Sequence, residues 1–237
     1  MTRSCRHRQG GHMLRRVIGG LALTAALAGT ATAQVVVGPM GGLGITTFSG
    51  ADADVPGDTL KSRTGFLVGG FATFPFGQYF ALEPQIFWVQ KGANYAFGPD
   101  GGNGGGTPER SIPDPGIGIK LGYIEIPVLL KAQYVAEGST RIAPNLFFGP
   151  AIAFKTSCNL TAVNAGNEVS TECDVAGTLI KGTDFLLAFG AGIDIGPVAL
   201  QGRYDLGLGT IDNSTAPDDV KNSGWLFTAG FRIPIRR

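Results

Sequence analysis

Apolar and polar side chains alternate along two long stretches of the chain, residues 79–97 and 116–134. In the second stretch, Ile124 and Ile126 have one parity and Glu125 has the other. A period of two indicates β-strands, because successive side chains of a strand point to opposite faces of the sheet. Both stretches are longer than soluble strands, which average about 5–6 residues. They suit transmembrane strands instead, which need roughly 9–11 tilted residues and turn an apolar face towards lipid.

The same alternation along the rest of the chain predicts eight strands. They are residues 35–48, 64–74, 79–97, 116–134, 140–155, 183–195, 198–209 and 224–235. The connections alternate between long and short, at residues 51–60, 75–78, 98–115, 135–139, 156–182, 196–197 and 210–223. Small outer-membrane barrels have this arrangement, with short turns in the periplasm and long loops outside the cell. The predicted fold is therefore all-β, an eight-stranded antiparallel up-and-down transmembrane β-barrel.

An export signal precedes the predicted barrel. Two arginines lead into an apolar run at residues 17–28, which is followed by a small-residue cleavage site at residues 31–33. The apolar run is too short for a membrane-spanning helix, which needs about 20 residues. We therefore expect a cleaved signal peptide at residues 1–33, with Met13 as an alternative start, and a barrel domain at residues 34–237. The signal predicts export, and together with the barrel pattern it predicts a location in the bacterial outer membrane.

Charge and histidine content disfavour two classes of function. The chain has 19 basic and 18 acidic residues, and this balance argues against a nucleic-acid surface. Its two histidines, His7 and His12, both lie in the segment expected to be removed. Outer-membrane hydrolases need histidine for acid–base work, so we expect no enzyme activity and no catalytic residues. No motif indicates a cofactor, and a cysteine-based metal site would lack a histidine partner.

Two of the three cysteines remain after cleavage, because Cys5 lies in the signal segment. Cys158 and Cys173 are an even count in an oxidising compartment, which favours a disulfide over the alternative of two free thiols. Closing a loop of about 15 residues contributes roughly 3 kcal/mol in the chain-entropy model. We expect the bond to tie the long connection at 156–182 back on itself.

A set of charged side chains has the inward parity of the predicted strands. It consists of Glu83, Lys91, Glu125, Lys131, Arg203, Asp205 and Arg232. An eight-stranded barrel is just wide enough inside for side chains to fill it, and buried charges must be paired. The set contains both signs, so we predict a lumen closed by a salt-bridge network. A narrow polar pore is the alternative.

Three prolines fall inside predicted strands, where each removes a ladder donor. Counting from the turns places Pro84 near Pro127, with Pro150 at a similar height on the next strand. We expect a local belt of β-bulges at this height. The alternative is an error in the strand assignment.

Several short motifs, in this order, resemble the PorT-like outer-membrane β-barrel family. They are Leu-Glu-Pro-Gln at 82–85, Gln-Lys-Gly at 90–92, Tyr-Ile-Glu-Ile-Pro at 123–127, Gly-Pro at 149–150, Asp-Phe at 184–185 with Gly-Ala-Gly at 190–192, and Arg-Tyr-Asp-Leu-Gly-Leu at 203–208. The resemblance covers nearly all of the chain after the signal segment. It implies an eight-stranded barrel and does not imply any one activity.

Together these patterns predict an integral outer-membrane protein with a structural, surface-interaction or envelope-integrity role. We expect it to contact outer-membrane lipid and lipopolysaccharide, and to meet the barrel-assembly machinery during insertion. We further expect a monomer with a surface ligand at its long loops. A soluble lipocalin-like barrel holding an apolar ligand is the alternative. Charged residues on the inward parity disfavour it, because such a pocket would be apolar.

Overall fold

The structure, a computed structural model, describes residues 34–50, 58–97, 116–136, 140–173, 180–213 and 219–235. The expected signal peptide at residues 1–33 and the predicted connection at 98–115 lie outside the described residues. Among the described residues no helix has the length and apolar character needed to cross a membrane.

The described residues form ten strands, and every pairing between them is antiparallel. The strands are β1 (Val36–Ser49), β2 (Asp58–Phe76), β3 (Phe80–Phe97), β4 (Gly116–Gln133), β5 (Ile142–Asn164), β6 (Asn167–Glu172), β7 (Thr183–Ile195), β8 (Val198–Gly207), β9 (Lys221–Phe231) and β10 (Ile233–Pro234).

The strands close into a barrel. Each of β1 to β5 pairs with the next, β5 pairs with β7, β7 with β8 and β8 with β9, and β9 returns to β1. Strand β10 pairs with the start of β1, and β9 pairs with the rest of β1 in the same register. Strands β9 and β10 therefore act as one barrel strand. Strand β6 pairs only with the far part of β5 among the described residues. The all-β antiparallel up-and-down fold is therefore as predicted.

The two ends of the barrel differ in their connections. At one end, which we call the turn end, the connections 77–79, 134–141 and 196–197 span three, eight and two residues, and β1 begins and β10 ends there. At the other, the loop end, the strands are joined by residues 50–57, 98–115, 173–182 and 208–220.

Two predicted loops are wrong in part, because strands continue beyond the apolar band. The predicted loop at 51–60 overlaps β2, which begins at Asp58. Most of the predicted loop at 156–182 is also strand, because β5 continues to Asn164 and a two-residue turn leads into β6. Above an apolar band neither face of a strand must be apolar, so the alternation that identifies the other strands fades there.

The predicted bulge belt at the prolines is also wrong. Pro84 pairs with Val128, and the register on either side of this pair is unchanged. Strands β4 and β5 likewise keep one register past Pro127. The ladder opens for a few residues at each site without an inserted residue. Register shifts occur instead near the loop end, between Ser62 and Leu67 in β2 and at Gly122 in β4.

Apolar side chains point out of the barrel and charged side chains point into it. Ile124 and Phe189 are 39% and 42% exposed, whereas Glu125 is fully buried and Arg203 is 4% exposed. Exposed large apolar residues occur on all the strands of the closed circuit. A soluble barrel with an apolar ligand pocket would have the opposite arrangement, so the structure opposes the lipocalin-like alternative.

Candidate functional site

Four charged side chains from three strands form a closed ring at mid-height in the lumen. We call Lys91, Glu125, Arg203 and Asp205 the four-charge ring. Lys91 Nζ lies 2.6 Å from Glu125 Oε2 and 3.0 Å from Asp205 Oδ2. Arg203 Nη2 lies 2.7 Å from Glu125 Oε1, and Arg203 Nε lies 2.8 Å from Asp205 Oδ1. Each charge therefore contacts both charges of opposite sign, and the ring is electrically neutral.

The backbone explains why these residues meet. Arg203 and Asp205 are two residues apart on β8, so their side chains share the inner face. Lys91 and Glu125 have the inward parity of the neighbouring strands β3 and β4. The guanidinium of Arg203 also lies over the ring of Phe87, 4.8 Å from its centroid. This contact adds a cation–π attraction to the ion pairs.

A second group of charges lies closer to the turn end. This turn-end cluster consists of Glu83, Lys131, Asp194 and Arg232. Lys131 Nζ is 3.1 Å from Glu83 Oε2 and 3.4 Å from Asp194 Oδ2, and Arg232 Nε is 3.5 Å from Asp194 Oδ2. Arg232 also donates a hydrogen bond to the carbonyl of Gly196 at 3.4 Å. Two cations face two anions, so this cluster is neutral as well.

Two glutamines connect the charge groups across the lumen. Gln85 Nε2 donates to Glu83 Oε1 and to Gln201 Oε1, both at 3.0 Å, and its own oxygen accepts a bond from Arg203 Nη1 at 3.3 Å. Gln201 Nε2 donates to Glu83 Oε1 at 2.7 Å, and Thr73 Oγ1 donates to Glu83 Oε2 at 2.8 Å. The polar interior is thus one connected network rather than separate pairs.

A further polar group lies on the loop-end side of the four-charge ring. Asn222 Nδ2 donates to Asp184 Oδ2 at 2.8 Å and contacts the hydroxyl of Tyr123 at 3.3 Å. All three side chains are buried. Together they join the strands β4, β7 and β9 across the lumen.

Apolar side chains fill the lumen near its loop end. This apolar cap includes Phe48, Leu121 and Ile211, all of them buried. Leu60, Tyr95, Ile180 and Val220 pack against its edge.

Two backbone hydrogen bonds position Ile211 of the apolar cap. Ile211 lies in the connection after β8, and its N–H donates to the carbonyl of Val220 at 2.7 Å. The N–H of Lys181 donates to the carbonyl of Ile211 at 2.8 Å. The cap therefore lies on the loop-end side of the polar network.

The buried charges of the interior are paired with each other. Moving a charge out of water costs several kcal/mol, and only close partners with additional hydrogen bonds offset that cost. The turn-end cluster meets this condition through Thr73, Gln201 and the carbonyl of Gly196. The four-charge ring has close ionic partners and one additional hydrogen bond from Arg203 to Gln85, whereas Glu125 Oε2, Arg203 Nε and Asp205 Oδ1 make ionic contacts without hydrogen-bond geometry. An ion passing through the lumen would have to displace several ion pairs at once.

All seven charged residues selected from the sequence lie in the interior, within the four-charge ring or the turn-end cluster. Asp194, which pairs with two of them, was not among the predicted residues, and neither were the linking amides of Gln85 and Gln201. Their parity was visible, since Asp194 alternates with the outward residues of β7. The division into two neutral groups could not be read from parity, because it depends on which strands face each other across the lumen.

The predicted disulfide is confirmed. Cys158 and Cys173 are bonded, with their Cα atoms 5.4 Å apart. The sequence suggested that the bond ties back a loop, but the structure places it elsewhere. It joins the hairpin of β5 and β6 at its base, next to the pair formed by Asn159 and Glu172.

The comparison with protein families agrees with this fold. The model described as "Outer membrane protein beta-barrel domain" matches residues 30–213, and the chain belongs to that family. The protein is accordingly a β-barrel of the bacterial outer membrane. No curated protein matches the chain.

Solved outer-membrane barrels are among the structures that resemble this one. The attachment invasion locus protein Ail of Yersinia pestis, in complex with the heparin analogue sucrose octasulfate, is 13% identical, with a TM-score of 0.39, covering 84% of this chain and 99% of its own. OprG of Pseudomonas aeruginosa is 8% identical, with a TM-score of 0.43, covering 85% and 96%. The translocator domain of the autotransporter NalP from Neisseria meningitidis is 10% identical, with a TM-score of 0.27, covering 93% and 96%.

Proposed function

We propose that the protein is a non-conducting barrel of the outer membrane, with a structural, surface-interaction or envelope-integrity role. The observation that supports this most directly is the four-charge ring. Its four side chains are almost completely buried, and each contacts both opposite charges. A pore lining would instead expose its charges to water along a continuous path. The apolar cap supports the same function, because it adds a second obstruction.

We further propose that the turn end lies in the periplasm and the loop end outside the cell. The connections at the turn end span two to eight residues and those at the loop end span eight to eighteen, and this difference is the basis for the orientation. The apolar outer wall would then contact lipid and lipopolysaccharide, and the loop end would meet any surface ligand. The barrel-assembly machinery would insert the chain, which would act as a monomer. The motifs at 123–127 and 203–208 support the narrower PorT-like assignment.

We also propose that the protein has no enzyme activity. The support is the residue inventory, since the only histidines are His7 and His12 in the expected signal segment. The buried carboxylates Glu83 and Glu125 are engaged by cations and amides rather than exposed to a substrate.

A deletion strain tests the proposed role in the envelope. Cells without the protein should become more sensitive to detergents and to large antibiotics that an intact outer membrane excludes. Their uptake of small sugars should be unchanged, because a sealed barrel contributes no diffusion path. Loss of sugar uptake, restored by the wild-type gene, would instead identify a pore.

A further inference from the structure

The hairpin of β5 and β6 is a rigid arm at the loop end of the barrel. Its turn residues Ala165 and Gly166 have φ angles of 49° and 77°, as a tight type I′ hairpin requires. Six residue pairs follow in unbroken register. Thr161 Oγ1 and Ser170 Oγ lie 3.2 Å apart across the strands, and the disulfide of Cys158 closes the base.

One edge of this arm presents backbone hydrogen-bonding groups away from β5. The N–H of Cys173 donates to the carbonyl of Cys158 at 3.2 Å, which sets the alternation along β6. Thr171 and Val169 therefore bond to β5 as Cys173 does. The residues that alternate with them are Glu168, Ser170 and Glu172. Their backbone N–H and C=O groups point away from β5. Among the described residues, β6 pairs with no strand other than β5.

We propose that the outer edge of β6 binds an extended, basic polypeptide segment by strand addition. Such binding uses main-chain hydrogen bonds for affinity and alternate side chains for specificity. The disulfide and the tight turn hold the edge in a strand conformation before binding. A preorganised edge avoids part of the ordering cost that a flexible loop would pay.

The charges on β6 favour a basic occupant, although Arg63 on β2 already interacts electrostatically with Glu168. Glu168 and Glu172 are exposed, and both have their backbone groups on the binding edge. Residues directly opposite each other on paired strands interact, and like charges there are destabilising. A second copy adding its own β6 in full register would oppose carboxylate to carboxylate in either strand direction. A segment with two lysines or arginines four residues apart would instead place a cation opposite each glutamate.

An exposed apolar side chain lies next to this edge. Val169 lies between the glutamates with its side chain on the other face of the strand, and it is 67% exposed. An added strand with β-branched residues between its cations would pack beside it. The expected ligand therefore alternates basic residues with β-branched ones.

Short synthetic peptides test this inference with the full-length protein in lipid nanodiscs. One peptide alternates threonine and valine and has two lysines four residues apart; its matched control has glutamates in place of the lysines. We expect the lysine peptide to bind at least about tenfold more tightly, a difference of about 1.4 kcal/mol. A third version of the lysine peptide, methylated on the backbone nitrogens of its bonding face, should lose binding.

Variants of β6 separate backbone from side-chain effects. Ser170→Pro removes an edge N–H, and proline is tolerated where that N–H faces away from the sheet. Its control, Ser170→Ala, keeps the N–H while it loses the same hydroxyl contact with Thr161. We expect Ser170→Pro to weaken binding at least about tenfold relative to Ser170→Ala. The double variant Glu168→Lys with Glu172→Lys should prefer the glutamate peptide.

Equal binding of the two peptides, or equal binding by the proline and alanine variants, would overturn the proposal. This inference rests on the loop end being extracellular, as proposed above. The peptide experiment does not depend on whether the lumen conducts. Failure of peptide binding would therefore not contradict the proposed non-conducting lumen. A conducting lumen would likewise not contradict the proposed binding edge.

Discussion

Glu125 is the residue whose replacement should affect the interior most. It is fully buried and contacts Lys91 and Arg203 at 2.6 and 2.7 Å. Glu125→Gln keeps the shape of the side chain but leaves these two cations with Asp205 as their shared carboxylate. Because breaking a buried pair costs about 3–5 kcal/mol, we expect the free energy of unfolding to fall by that amount. Urea unfolding of the folded barrel in lipid would measure it.

An exposed glutamate provides the matched control for this prediction. Glu172→Gln makes the same chemical change on β6, outside the lumen. Surface substitutions usually change stability by less than about 0.5 kcal/mol. Equal effects of the two substitutions would contradict the assignment of Glu125 to a tightly paired interior.

At the scale of single residues, parity alone could predict which side chains face inward. Lys131 and Asp205 show this, since each was assigned to the lumen from its place in an alternating stretch. Parity could not predict that Lys131 would pair with Asp194, because those residues lie on the strands β4 and β7. Their distance depends on strand tilt and on the register of the whole circuit.

At the scale of elements, closure of the barrel depends on the seam between β1 and β9. Gly42 lies on β1 at this seam. The two strands are so close there that a Cβ atom on Gly42 would overlap the carbonyl oxygen of Phe227. We expect Gly42→Ala to destabilise the barrel by about 1–3 kcal/mol, because a packed structure must shift to admit the methyl group. Heat-modifiable gel mobility and urea unfolding would detect the change.

The adjacent glycine is the control for the seam. A Cβ atom on Gly41 would lie 3.5 Å from the carbonyl oxygen of Leu67, which is an ordinary contact. Gly41→Ala should therefore leave the unfolding midpoint close to that of the wild type. If Gly41→Ala is as damaging as Gly42→Ala, the close approach at the seam is not the cause.

The arm formed by β5 and β6 should respond separately from the barrel. Replacing Cys158 and Cys173 by serine removes a bond between residues 15 apart in sequence. Such a loop contributes about 3 kcal/mol in the chain-entropy model, and here that stabilisation falls on the arm. We expect faster amide exchange at Val169 and Thr171, with little change in β8. Uniformly faster exchange throughout the barrel would contradict a local role.

The sequence predicts the barrel strands well and the arm poorly. Strand β7 begins and ends as predicted, because its apolar and small residues alternate without a break. Strands β5 and β6 form a hairpin within the predicted loop 156–182, where the residues are mostly polar on both faces. The bulges predicted at the prolines failed for a different reason. The ladder tolerates Pro84 and Pro127 without an inserted residue.

At the scale of the whole molecule, the proposed closure of the lumen rests on three features in series. The turn-end cluster, the four-charge ring and the apolar cap follow one another along the axis, and the glutamines join the first two. No single feature requires the barrel to be closed, but an ion would have to pass all of them. The outer wall meanwhile presents apolar side chains on every strand of the circuit, as a protein of the outer membrane requires.

Planar-bilayer recording of the purified, folded protein tests the closed lumen most directly. The network of buried ion pairs predicts that insertion leaves the membrane current at the level of the protein-free bilayer, at either polarity of the applied voltage. Heat-modifiable mobility of the same sample would verify that the inserted barrel is folded. Stable current steps of large conductance from the folded wild-type protein would contradict the account, because the proposed closed lumen has no water-filled path.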